Sequence, residues 1–516
     1  MTIRTGVDMR PAARRGLPAL IVAAAVLGGV ESATAEVLTK EYDNGGVYEG
    51  EFLDGRQHGI GTYKLPNGYE YSGAWVEGRI EGEGRAKFPD GSVYEGAFRD
   101  GHPDGTGKIT FPDGGTYEGS WKAGQIDGTG VATYANGMRY EGSFAEGRQQ
   151  GKGTLTGPDG YSYTGDWAAG VKAGQGRITY PDGSVYEGAM AGGEPEGKGV
   201  LTAADGARYE GDWKAGEIEG EGTLVQPNGD RYEGAFVAGR REGLGRATSK
   251  SGEVYEGGFK ADLRQGAGTL TRPDGYVYSG DWVSDQVSGQ GKATYPDGSV
   301  YEGSFVAGKP EGKGKITYAD GSTYEGDWVA AAITGKGVAR YADGSVYEGD
   351  FKDGKNDGFG RMTMPDGYTY EGGWVAGQRQ GDGSAIYPDG SNYVGNFVDG
   401  VRAGAGTLTM KDGVVFQGNW QNGLLEGPGK ATYANGDVYE GNFVAGQRQG
   451  QGRMLFAGGE RYEGNWEAGQ PASGTAPAAA PDTPPDAAPA ADGTPAGTDS
   501  DGQPAAEPAA PAAPAQ

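Results

Sequence analysis

No cysteine occurs among the 516 residues. Disulfides, thiolate nucleophiles and cysteine metal sites are excluded at once. The absence does not fix a compartment, because exported proteins need not carry disulfides. Histidine is nearly as scarce: His58 and His102 are the two present, and a structural or solvated role suits such isolated groups best. Positive charge is also short. Lys and Arg number 45 against 71 Asp and Glu, a net charge of −26, and a surface of that sign repels nucleic acid and anionic membranes at long range. Nucleic-acid binding is set aside on that ground. Apolar residues make up only 35%, and no apolar run reaches the ~20 residues that span a bilayer as a helix.

What is present begins with an address. Arg4, Arg10, Arg14 and Arg15 form a positive segment, Leu17 to Val30 is apolar, and Ala33-Thr34-Ala35 supplies a small-x-small cleavage site. The pattern predicts a signal peptide over 1–35 and a mature start at Glu36. Loss of four Arg and two acids leaves 41 basic and 69 acidic residues, a net −28. With no second apolar run, the mature protein is expected to be soluble, in a periplasm or outside the cell.

Glycine is abundant: 105 residues, about three times average usage. It is not placed at every third position, so collagen is excluded. Disordered chains are poor in aromatics, whereas this one has 31 Tyr, 14 Phe and 9 Trp. Many glycines with many rings point to a thin, turn-rich β protein.

Tyr recurs at 48, 71, 94, 117, 140, 163, 186, 209, 232, 255, 278, 301, 324, 347, 370, 393, 439 and 462, with Phe416 filling the gap. Every step is 23 residues across nineteen units, and such self-similarity signals a repeat architecture. With the Tyr as position 0, position 2 is Gly in all nineteen units and position 4 is Phe or Trp in all but one, where Met190 stands. Positions 11 and 13 are Gly in the eighteen complete units, as in Gly82-Glu83-Gly84. The mostly alternating Phe and Trp at position 4 records growth by duplication of a 46-residue pair.

Tyr, Gly and Trp at 0, 2 and 4 follow the period that puts side chains on one face of a strand. A second strand is expected after Gly-x-Gly, as in Gly176-Arg177-Ile178-Thr179-Tyr180. Pro181-Asp182-Gly183-Ser184 then turns the chain, since Pro presets φ, Asp bonds the local backbone and Gly accepts positive φ. The fold class expected is all-β: an elongated, twisted antiparallel β-meander, solenoid-like, of tandem hairpins. The position-2 Gly marks close approach, expected from an aromatic ring of a neighbouring unit. Residues 36–44 form a lead-in, 45–469 the repeats, and 470–516, rich in Pro, Ala and acids, a disordered tail.

The run Tyr117-Glu118-Gly119-Ser120-Trp121-Lys122-Ala123-Gly124-Gln125-Ile126-Asp127-Gly128-Thr129-Gly130 resembles the MORN repeat, named for membrane occupation and recognition nexus. The resemblance covers 45–469. Departures are Met190 and Phe416, and Asp262, Asp285 and Ala331 where position 7 is otherwise Gly. It implies twisted sheets of consecutive hairpins acting as scaffolds, dimerising, or joining membranes and attached domains. Several such proteins have been linked to phospholipid. Enzymes of the family carry a separate kinase or methyltransferase domain, which this chain lacks, so no enzymatic activity is expected.

Chemistry within the repeat is thin. One Asp per turn does not converge into the six to eight oxygens calcium needs, so no metal or cofactor is expected. Gly-x-Gly precedes a strand and lacks the Lys-Ser/Thr of a phosphate loop, so it reads as a tight loop. Glu at position 1, in fourteen units, reads as a solvated row, because no unit is distinguished for catalysis. Two binding candidates remain. One is the aromatic face, represented by Tyr71, Trp75, Tyr117, Trp121, Tyr324, Trp328, Tyr370 and Trp374, whose plain alternative is core packing. The other is a basic ridge at position 14: Arg85, Lys108, Arg177, Arg246, Lys292, Lys315, Arg361, Lys430 and Arg453. The function expected is an exported scaffold for protein partners or self-association at the cell envelope. The alternative is a module for phospholipid or an extended glycan, using the aromatics.

Overall fold

A computed structural model describes residues 36–472. The expected signal peptide, and the tail beyond residue 472, lie outside the described residues. The chain divides into two compact units, Met1–Gly245 and Arg246–Gln516. Both are built alike, each strand running antiparallel to the next in the chain. All regular structure among the described residues is β, in thirty-nine strands.

The repeat beginning at Tyr117 shows how the sequence sets this. Its Tyr strand, Thr116–Lys122, is joined to a return strand, Gln125–Thr133, by Ala123-Gly124 alone. Those two residues have φ of 47° and 81°. A two-residue connection with both φ positive matches the right-handed twist of the flanking strands. The register pairs Tyr117 with Ala132 and Gly119 with Gly130, then shifts to pair Trp121 with Ile126. Ser120 thus faces three residues of the return strand, and Gly128, at φ 102°, takes the kink.

This corrects the expected start of the second strand. It begins at position 8, three residues before Gly-x-Gly, because the chain has already turned at positions 6 and 7. The first glycine of Gly-x-Gly is a bulge inside a strand rather than a loop, placed where a residue with a Cβ would be strained.

The turn between repeats follows the expectation. Tyr180 N donates to Ser184 O at 2.8 Å, Gly183 N to Tyr180 O at 3.0 Å, and Ser184 N to Asp182 Oδ1 at 2.8 Å. Gly183 has φ 91°. Hydrogen bonds from Ser184 hold the Asp182 carboxyl below the usual carboxylate range.

The core is a column of rings on one face of the sheet. Tyr117 lies across the Gly119–Gly130 pair, so that a Cβ at Gly130 would come within 2.5 Å of its ring. The ring over position 2 is therefore that of the same unit, not of a neighbour as expected. Neighbouring units meet edge to face: Tyr117 and Phe144 are 5.1 Å apart, and Tyr94 and Trp121 5.0 Å. Each such pair adds about 0.5–1.5 kcal/mol beyond area burial.

The lead-in and the start of the tail are ordered. Glu36–Glu41 is a strand paired with Val47–Leu53. Gln470 and Pro471 pair with Glu467 and Trp466, so the first two residues after the repeats form a short strand.

Candidate functional site

The two candidate faces lie on opposite sides of the sheet. On the inner face Tyr71, Trp75, Tyr117, Trp121, Tyr324, Trp328, Tyr370 and Trp374 are all buried, none more than 7% exposed. Their polar atoms are also engaged. Tyr hydroxyls donate to the carbonyl three residues on, as in Tyr71 to Ala74 O at 3.0 Å and Tyr370 to Gly373 O at 2.9 Å. All nine indoles donate to the position-13 glycine carbonyl of the preceding repeat, Trp75 to Gly61 O at 3.2 Å and Trp374 to Gly360 O at 3.1 Å among them. A buried NH paired with a buried C=O removes two desolvation penalties together. These eight residues are core.

The same face holds cations that the sequence analysis passed over. Position 9 is Arg in several repeats, and Arg379, Arg402 and Arg448 are buried there. The Arg448 guanidinium is 4.3 Å from the Trp466 ring centroid and donates through Nη2 to Gly469 O at 2.7 Å. Arginine tolerates this because its planar, weakly hydrated cation stacks on rings. The available signal was that position 9 is otherwise mostly Ile, Val, Leu or Pro, an inward position.

The outer face carries the expected basic ridge, and there it is not a ridge of one sign. Each position-14 residue sits opposite position 1 of the next repeat. Arg85 reaches Glu95 at 3.0 Å, Lys108 Glu118 at 3.7 Å and Arg177 Glu187 at 2.8 Å. Arg246 reaches Glu256 at 2.8 Å and Lys292 Glu302 at 2.7 Å. Glu440 takes both Lys430, at 3.2 Å, and Arg453, at 2.6 Å. Lys315 lies between Glu302 and Glu325, and Arg361 between Glu348 and Glu371. Hydrogen bonds from Lys430 and Arg453 hold the Glu440 carboxyl below its usual range. Opposite charges in one row cancel at distances beyond the ~8 Å Debye length.

A second charged row runs beside the first. Position 12 pairs with position 3 of the next repeat: Lys152 with Asp166 and Lys198 with Asp212, both at 2.6 Å, and Lys313 with Asp327 at 2.6 Å. Between the two rows the backbone of the position-2 and position-13 glycines forms the floor of an open depression. It encloses about 650 Å³ over residues 152–188 in the first unit and about 930 Å³ over residues 302–371 in the second. Phe359, 59% exposed, stands on the wall of the larger one. Beyond the Lys–Asp row lie Val306, Val329 and Val375, all more than half exposed. Exposed aliphatics beside paired charges make a surface suited to a polypeptide partner. His58 and His102 are half-buried in return strands, and no group of metal-ligating residues occurs among the described residues.

A family model for the MORN repeat matches eighteen segments, from residues 48–68 to 439–461. The chain belongs to the MORN repeat family. Arrays of this family are in general repeat scaffolds for protein or lipid interaction. The comparison with curated proteins returned no match. Among solved structures, the SAS-4 (dCPAP) TCP domain of Drosophila melanogaster, in complex with a proline rich motif of Ana2 (dSTIL), is 13% identical with a TM-score of 0.17. That alignment covers 39% of this chain and 85% of the other. The wild-type TCP10 domain of Danio rerio CPAP is 15% identical over 48% of this chain and 97% of its own, TM-score 0.14. A streptogramin B lyase is 12% identical over 57% and 91%, TM-score 0.11. At these TM-scores the likeness supports no transfer of function.

Proposed function

We propose that this MORN array is an exported scaffold of the cell envelope that binds protein partners along the outer face of its sheet. The observation that carries the reading is the division of labour between the two faces. The rings of the inner face are consumed as core, whereas the outer face presents an open depression with exposed Phe359 and flanking valines. The lipid or glycan reading drew on the aromatic face and on a basic ridge. Burial of the rings and the pairing of the basic residues with glutamates favour the protein-binding reading over it. The amino-terminal pattern of Arg, apolar run and Ala33-Thr34-Ala35 supports export.

Two experiments on the full chain test this. A photo-crosslinking residue replacing Phe359 is expected to give one discrete protein adduct in envelope fractions, and the same probe at Asp320, in a turn, none. Co-sedimentation with neutral and anionic vesicles at low and moderate salt is expected to show no binding. Salt-sensitive binding to anionic vesicles without an adduct at 359 would overturn the reading in favour of a membrane module.

A further inference from the structure

The described residues hold one repeat left open. Its Tyr strand, Arg461–Glu467, pairs with Gln447–Leu455 on one side. On the other side only Trp466 and Glu467 find register partners, in Pro471 and Gln470, and Ala472 N donates to Asn465 O at 2.8 Å. Arg461 to Gly464 therefore present a free strand edge among the described residues.

The ring above that edge is correspondingly loose. The other seventeen position-0 tyrosines are at most 3% exposed, whereas Tyr462 is half-buried. Its hydroxyl lies 3.4 Å from Asn465 O, against 2.8–3.0 Å for Tyr117, Tyr163 and Tyr278. In complete repeats a Cβ at the position-2 glycine would meet the Cα of the opposing position-13 glycine at 2.4–3.0 Å. At Gly464 the three nearest atoms among the described residues all belong to the Tyr462 side chain.

Eighteen complete copies of the same junction specify what fits the edge. Opposite Gly464 must come a glycine, because a Cβ at position 13 meets the tyrosine ring, as close as 2.1 Å at Gly61 and Gly107. Opposite Glu463 the pattern admits basic or small uncharged residues, as Arg453 faces Glu440 and Lys315 faces Glu302, while Thr62 faces Glu49 and Val131 faces Glu118. Opposite Tyr462 comes an apolar residue, as Met454 faces Tyr439 and Ile316 faces Tyr301. The opening strand of a second copy fails this pattern: Glu36–Glu41 places Leu38 at the glycine position and Lys40 at the apolar one. The chain's own continuation has Thr475 and Pro477 at those two positions, and Pro lacks the N–H a strand pair needs.

We propose that the open repeat accepts an extended segment of a partner protein, of the class Gly–non-acidic–apolar, as an added antiparallel strand along Arg461–Gly464. The proposal rests on the protein-binding reading above and gives it a second, terminal site. Backbone hydrogen bonds to the edge supply affinity, and the Tyr462 ring, seated over the added strand as in the complete repeats, supplies the requirement for glycine.

The test uses a fluorescein-labelled, end-capped peptide with the sequence of residues 447–455, QRQGQGRML, titrated with the full chain and followed by anisotropy. Saturable binding is expected. Gly452→Leu in the peptide should weaken it at least tenfold, Arg453→Glu severalfold, and Tyr462→Ala in the chain should abolish it. Equal binding of the Gly452→Leu peptide, or no saturable binding, would overturn the proposal. Equal binding of a peptide of residues 36–41 would make a second copy the occupant instead. Binding that appears only after removal of the residues beyond 472 would make the chain's own tail the occupant. Each of these leaves the crosslinking result at 359 standing or falling by itself.

Discussion

Ala330 and Ala331 form the two-residue connection of one hairpin, with φ of 50° and 73°. Position 7 of the repeat is glycine in most units, and at Ala331 a methyl group sits in the left-handed region. There an L-residue other than glycine is disfavoured by roughly 1–2 kcal/mol. Replacing Ala331 with Gly removes that strain and adds back about 0.5–1 kcal/mol of unfolded-chain entropy. The expected net gain is about 0.5–1 kcal/mol. Global melting is a poor assay, because a repeat array behaves as coupled local segments rather than one two-state unit. Hydrogen exchange at the hairpin is direct: Ala331 N donates to Pro310 O at 2.9 Å, and Trp328 pairs with Ile333. Their amides should exchange roughly twofold to fivefold more slowly in Ala331→Gly. Asp285 is the contrasting case at the same position, with φ 68°. Its Oδ1 accepts from Arg264 N at 2.8 Å and Arg264 Nε at 3.2 Å. Loss of that carboxylate costs about 1–3 kcal/mol, more than relief of strain returns, so Asp285→Gly should speed local exchange. Slower exchange in both variants, or faster in both, would refute the reasoning.

Two more predictions follow from the core. Gly119→Ala would place a Cβ 2.5 Å from both the Gly130 Cα and Thr129 O, backbone atoms that cannot move aside. It should cost at least about 1–3 kcal/mol, read as protease cutting near residue 119 while distant repeats stay resistant; an unchanged digest would count against the glycine pair as a packing requirement. In alkali, burial pushes the phenols of Tyr117, Tyr186 and Tyr301 up to about 12, whereas the unfolded chain releases those protons near 10. The folded state then holds more protons over that interval, so its stability is full below pH ~10 and falls as pH rises towards 12. Phenolate absorbance should appear together with loss of the β circular-dichroism signal, and phenolate forming near pH 10 with the signal intact would contradict the burial.

Much of the fold was legible because two periodicities coincide. Tyr, Gly and Trp at 0, 2 and 4 give a strand, and the 23-residue step repeats it without insertion, so topology follows from adjacency alone. The register was harder. Gly at position 7 was visible, and in most units it closes a two-residue turn, yet the Gly-x-Gly that follows is the stronger breaker signal by composition. Positive φ at both sites is what separates a turn from a bulge, and composition does not encode which glycine takes which role.

The candidate site suffered from the same gap. Position 14 taken by itself is a row of Lys and Arg; its pairing with position 1 of the next repeat depends on the register between consecutive repeats. The acids at position 1 were just as regular in the sequence, but ten residues away along the chain, and only the strand pairing brings Arg85 beside Glu95. A repeat whose rings stack with their own copies and many of whose charges pair largely satisfies itself, and it offers every partner a similar surface every 23 residues. Selectivity must then come from positions where the pattern breaks: Phe359, exposed where the adjacent repeats carry Lys336 and Asp382, and Tyr462 without a glycine opposite Gly464. Those are the residues at which a change should alter binding without altering the array.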